Sequence, residues 1–116
     1  MKRLLIAAFA LCATTAQAEW SQIKDANSFG AAVVGNAYAD GNGNWFRFNA
    51  NGTLDGGANG QALTGNWRYR NGMACFSRAL GGNALPSDCI VVMVDGNRLV
   101  TVRDQGRGRQ TLYTRQ

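Results

Sequence analysis

"GNWRYRNGMACFSRALGGNALPSDC", residues 65–89, is the stretch on which the fold turns. Trp67 and Tyr69 alternate with Arg68 and Arg70, the period of two expected of a strand with one buried face. Asn71-Gly72 follows, and such a pair tolerates the positive φ of a tight hairpin turn. "MACFSRA" then resumes as a returning strand. Beyond it the glycines suggest a mobile loop, Arg78 to Ser87, between Cys75 and Cys89.

The same grammar continues in both directions. "NWFRFN" precedes Ala50-Asn51-Gly52, and "CIVVMV" precedes Asp95-Gly96-Asn97 and "RLVTVRD". A last loop, "QGRGR", leads into "QTLYTR". Phe46 and Phe48 share one face, with Trp45 and Arg47 on the other. Val100 and Val102 alternate with Thr101 and Arg103. "CIVVMV" is apolar on both faces, so it should lie under a helix or against the disulfide. Strand-turn-strand signals at this spacing indicate an all-β sandwich or barrel. The expected fold is mainly β: a small antiparallel β-barrel or curved meander sheet of about six to eight strands. One short N-terminal helix is expected in "KDANSFGAAVVGN". Asp25, Asn27 or Ser28 can cap it, Phe29, Ala32 and Val33 share one face, and Gly35 can end it.

The N-terminus sets the expected compartment. Met1-Lys2-Arg3 is positive, "LLIAAFALCATTA" is apolar, and Ala16-Gln17-Ala18 is a small-x-small cleavage site. That is the pattern of a secretory signal peptide, so residues 1–18 are expected to be removed and residues 19–116 to form one small β domain. Leu11 before Cys12 does not fit a lipidation site. Export places the protein in a bacterial periplasm or outside the cell. There, an even pair of cysteines reads as a disulfide. Cys75 and Cys89 are not a C-x-x-C pair, and the chain has no histidine to complete a zinc site. Closing so short a loop should stabilise the fold by about 3 kcal/mol.

Of the 12 basic residues, setting aside Lys2 and Arg3 leaves ten, against seven acidic ones. These charges are scattered rather than gathered in the stripe that nucleic acid needs. "DGNGNW", from Asp40 to Trp45, opens like a calcium loop. It has Trp45 where the sixth-position glycine belongs and Asn51 where the twelfth-position glutamate belongs. Asn51-Gly52-Thr53 is a glycan sequon and also a plain turn. Gly106-Arg107-Gly108 precedes a strand, not the helix of a dinucleotide fingerprint. Without histidine there is no Ser-His-Asp or Cys-His arrangement. The aspartates sit mostly where turns want them. No catalytic residue, metal or cofactor is expected.

The best surface candidate is a face carrying Arg47, Trp67, Arg68, Tyr69, Arg70, Arg78 and Arg103. Arginines alternating with core aromatics would project from one side of the sheet. Such a face could meet an envelope or secreted protein, or an anionic polymer. This makes the chain a monomeric, non-enzymatic binding or inhibitor module. The alternative is a carrier of a small apolar ligand. Bulky Phe46, Phe48, Trp67, Tyr69, Met93 and Leu99 favour a filled interior, since an eight-stranded barrel is just wide enough for side chains to fill.

With "SFGAAVVGN", "GNWRYRNGMACFSR", Asp88-Cys89 and "DQGRG" in this order, the chain resembles a family of small exported bacterial proteins. Their pattern is G-x-W-x-W-x-x-G-x-x-C-R, a later D-C or N-C, and a terminal D-x-G-x-G. Tyr69 stands here for the second tryptophan, and Phe76-Ser77-Arg78 for the arginine after the cysteine. The resemblance implies a small exported β-protein with no established activity. Members are sometimes labelled dihydrodipicolinate reductase, but this chain has no dinucleotide fold. A looser similarity is to lipocalin-like barrels that inhibit secreted proteases.

Overall fold

The computed structural model describes residues 18–116, so nearly all of the expected signal segment lies outside the described residues. In chain order the elements are β1 (Ser21–Gln22), α1 (Ala26–Ala32), β2 (Ala37–Ala39), β3 (Trp45–Phe48), β4 (Thr53–Ala58) and β5 (Gln61–Arg70). Then come β6 (Met73–Leu80), β7 (Asn83–Asp95), β8 (Arg98–Val102), a short turn α2 (Arg103–Gly106) and β9 (Gln110–Arg115). Strands β2 to β9 pair each with the next, all antiparallel, and β2 pairs with β9. The result is a closed eight-stranded barrel, in which none of β2 to β9 is left as an edge strand. β1 adds a short rung on β7, with Ser21 opposite Val94.

Tight turns make the meander. Asn71 and Gly72 both have positive φ, as do Asn59 and Gly60, and Gly81 and Gly82. Two such residues in a row match the twist of a two-residue hairpin. The Gly81-Gly82 turn corrects the expectation of a mobile loop from Arg78 to Ser87. That segment is hydrogen-bonded ladder, with Arg78 opposite Leu85, Ala79 opposite Ala84 and Leu80 opposite Asn83. Pro86 falls where the register slips between the Phe76 and Arg78 rungs. A bulge of this kind tolerates a residue without an N–H. Cys75 and Cys89 are direct cross-strand partners and form a disulfide, with Cα atoms 4.0 Å apart.

Two strand glycines bend the wall. A Cβ on Gly65 would lie 2.1 Å from the Ser77 carbonyl oxygen, and one on Gly56 2.2 Å from that of Trp45. Neither position can carry a side chain, which is the usual reason for glycine at a barrel corner.

The helix starts where expected. Asp25 caps it, its carboxylate accepting the Ser28 N–H at 2.8 Å. At the other end Tyr38 Oη–H and Asn36 Nδ2–H both donate to the Ala32 carbonyl. Seven residues cannot hold a helix in isolation, so α1 depends on what it covers. It lies across one end of the barrel and drives Phe29 and Val33 into it. The Phe29 ring is 5.4 Å from Phe48, 5.4 Å from Trp67 and 4.9 Å from Tyr69, centroid to centroid. Ile23, Val92 and Leu99 belong to the same buried cluster. "CIVVMV" begins at the disulfide, sends Ile90 and Val92 inward, and has Val91 beneath Gly106 of α2.

Candidate functional site

The two ends of the barrel differ. At the α1 end Phe29 packs against the rings of Phe48, Trp67 and Tyr69. The opposite end holds a cavity of about 250 Å³. Its walls include Phe46, Leu63, Phe76, Leu80, Leu85 and Tyr113, and Asp40, Asn44, Arg103 and Arg109 reach it from the loops.

Arg78 enters this cavity by strand parity. Ala74 and Phe76 of β6 face inward, so Arg78 does too. Gly65 is its cross-strand partner. The Arg78 guanidinium carbon lies 5.1 Å from the centre of the Phe76 ring. Its Nε is enclosed and has no hydrogen-bond partner among the described residues. Burial lowers its pKa, and the Arg103 charge adds to this against the weaker pull of Asp88 and Tyr113. None of the four ion pairs among the described residues includes Arg78.

The opposite wall supplies hydroxyls. Thr101 of β8 is directly opposite Thr111 of β9, and both line the cavity. Thr101 is buried, which corrects the expected phase of "RLVTVRD": Leu99 and Thr101 face the interior, and Val102 is buried at the strand end. The Tyr113 ring packs edge-on against Phe46 at 4.8 Å. Burial raises the Tyr113 hydroxyl pKa, helped by Asp40 and opposed by Arg103 and Arg78. It is therefore a neutral donor at physiological pH.

The mouth is organised by Asp88. Its carboxylate accepts from Arg103 Nε at 2.5 Å, from the Cys89 N–H at 2.8 Å and from the Asp104 N–H at 3.1 Å. Asp104, Gln105 and Gly106 all have positive φ, a run that costs energy wherever a Cβ is present. The Asp88 bonds hold that turn. Burial raises the Asp88 pKa, but the bonds from Arg103, Asp104 and Cys89 outweigh it and the net shift is downward. A depressed carboxylate pKa adds stability above its unfolded value of about 3.9, and this is lost as pH falls through the folded value. Asp88→Asn should therefore cost about 1 kcal/mol at pH 7, a modest figure because water screens the half-exposed Arg103. The difference between variant and wild type in urea unfolding should shrink as pH falls below about 3.9 and through the lowered folded value. A deficit that stays constant with pH would show that ionisation of Asp88 plays no part.

The seven residues expected on one binding face occupy several places. Arg68 and Arg70 are exposed on the outer wall, beside a shallow groove of about 640 Å³ that also touches Ser77, Ser87 and the disulfide. Arg47 is ion-paired to Asp55 at 2.8 Å. Trp67 and Tyr69 face the core, where Trp67 Nε1–H donates to the Asn49 carbonyl and Tyr69 Oη–H to that of Ile23. Arg78 is inside the barrel and Arg103 is tied to Asp88. Arg109, Thr101, Thr111 and Tyr113 were not expected at a site. Their one signal is polar residues at alternate positions of apolar strands.

In "DGNGNW" the Asp40 carboxylate accepts from the Asn42 and Asn44 N–H groups and from Asn44 Nδ2–H. It thus serves the β2–β3 turn. Among the described residues no three potential ligands gather as a metal site would require. No family model, curated protein or solved structure matches this chain.

Proposed function

We propose that this is an exported, non-catalytic binding module that takes a small molecule into the open end of its barrel. The observation that carries this reading is that the barrel packs around Phe29 at the α1 end and keeps a cavity beyond it. Of the bulky residues expected to fill the interior, Trp67, Tyr69 and Leu99 cluster with Phe29, while Phe46 and Phe48 also line the cavity. Met93 falls on the opposite face of β7 from Val92 and Val94. The other end keeps about 250 Å³, close to the lower bound of about 300 Å³ for ligand sites. It is larger than the roughly 150 Å³ apolar cavity that accepts benzene. The carrier alternative thus gains on the surface-binding reading, and the disulfide fits an oxidising compartment.

Isothermal titration calorimetry with a panel of small aromatic probes tests this. The panel is benzoate, benzamide and benzylamine. At least one should bind saturably at a single site. Failure of all three at millimolar concentration would contradict the proposal.

The outer groove beside Arg68 and Arg70 supports a second reading, capture of an acidic protein or anionic polymer on the wall. Its test is a pull-down from envelope extract with Arg68→Ala/Arg70→Ala as control. A partner lost only in the variant would support it, and a partner captured equally by both forms would refute it.

A further inference from the structure

Resting on the cavity reading, we infer that the ligand is a small organic carboxylate and that Arg78 is its anchor. An arginine guanidinium cannot shed its charge, so burying one without a partner is costly. Proteins place such a group beside an anion, and Arg78 has no hydrogen-bonded carboxylate among the described residues. Asp88, the nearest acidic influence from the neighbouring strand, already binds Arg103, Asp104 N–H and Cys89 N–H. Asp40, across the mouth, is held in its own turn by Asn42 and Asn44. With Arg103 balanced by Asp88, Arg78 and Arg109 line the cavity against the single lining carboxylate of Asp40. An incoming anion would supply the missing acceptor.

The shape of the site narrows the class. The planar fork of arginine matches a carboxylate with two parallel hydrogen bonds. The Thr101, Thr111 and Tyr113 hydroxyls supply neutral donors on the far wall. Phe46, Leu63, Phe76 and Leu80 give the cavity an apolar wall that suits a hydrophobic body, while Asp40, Asn44, Arg103 and Arg109 keep its loop side polar. Scaling from the roughly 150 Å³ cavity that holds benzene, 250 Å³ takes a ligand of about ten heavy atoms. This is the size of benzoate and far below that of a nucleotide.

The test compares benzoate with benzamide, its uncharged analogue, and with inorganic phosphate, by calorimetry. The proteins are wild type, Arg78→Gln, Arg78→Lys and Arg68→Ala/Arg70→Ala. Wild type should prefer benzoate to benzamide by about tenfold or more. Arg78→Gln should weaken benzoate by about tenfold or more and leave benzamide within about twofold. Arg78→Lys, which keeps the charge and loses the fork, should recover part of the benzoate affinity. The outer-wall variant should bind as wild type does. Since Arg78→Gln removes a half-buried charge with no carboxylate partner among the described residues, it should melt no lower than wild type. If it fails to fold, Arg78→Lys carries the comparison. Equal binding of benzoate and benzamide by wild type, or no loss in the Arg78 variants, would overturn the anion assignment and leave the cavity reading standing. Phosphate binding without benzoate would overturn the carboxylate class. Binding of none of the probes would sink both readings.

Discussion

Phe29→Ala is expected to lose about 3–5 kcal/mol of folding stability, as burying an aromatic ring and then deleting it does. Phe29 is fully buried and touches three aromatic rings from β3 and β5. It is the one buried side chain of α1. Truncating it removes those contacts and also the anchor of a two-turn helix that has no stability of its own. Domains hold only about 5–15 kcal/mol in all, so the variant should lie near the edge of unfolding. Urea unfolding followed by tryptophan fluorescence measures this. A loss below about 1 kcal/mol would mean that α1 is not the plug of the barrel.

The second large effect concerns the disulfide. Cys75→Ala/Cys89→Ala should lose about 3 kcal/mol, within the 2–5 kcal/mol seen for small secreted domains. The two residues are cross-strand partners, 14 apart in sequence, so the bond adds little that the hairpin does not already fix in the folded state. Its effect falls on the unfolded chain, whose loop it closes. The double variant should therefore keep its cavity and lose its resistance to urea. Reduced wild type should unfold at the same urea concentration as the variant. An unchanged midpoint would remove the disulfide from the account of stability.

The strands and most turns were legible because they depend on local chemistry. Trp67/Tyr69 against Arg68/Arg70 defines two faces, and Asn71-Gly72 can make the turn whatever surrounds it. The turn at Gly81-Gly82 was hidden by its setting. Pro86 and three nearby glycines and serines look like loop, and only pairing with β6 shows that the proline occupies a bulge. Closure was not legible either. It rests on Ala39 opposite Thr114 and Tyr38 opposite Arg115, pairings more than seventy residues apart with no local mark.

The site was misread for a related reason. Charged side chains are nearly always outside, so Arg78 was placed with Arg68 and Arg70. Parity from Phe76 says the opposite, and parity wins because a strand cannot turn one side chain without shifting all of them. The arginine goes inside because Ala74 and Phe76 fix the phase of β6 and because the β6–β7 end of the barrel has nothing like Phe29 to fill it. Arg109 and Tyr113 join it only through the β8–β9 hairpin, which the sequence of neither strand announces.

The central claim is a barrel packed at one end and receptive at the other. Its most direct test is a benzoate titration of ¹⁵N-labelled protein followed by amide chemical shifts. The account predicts saturating shifts at Leu63, Arg78, Thr101, Thr111 and Tyr113, with Phe29, Val33 and Ile23 at the plugged end unmoved. Shifts confined to Arg68 and Arg70 on the outer wall, or no saturating shifts anywhere, would contradict it.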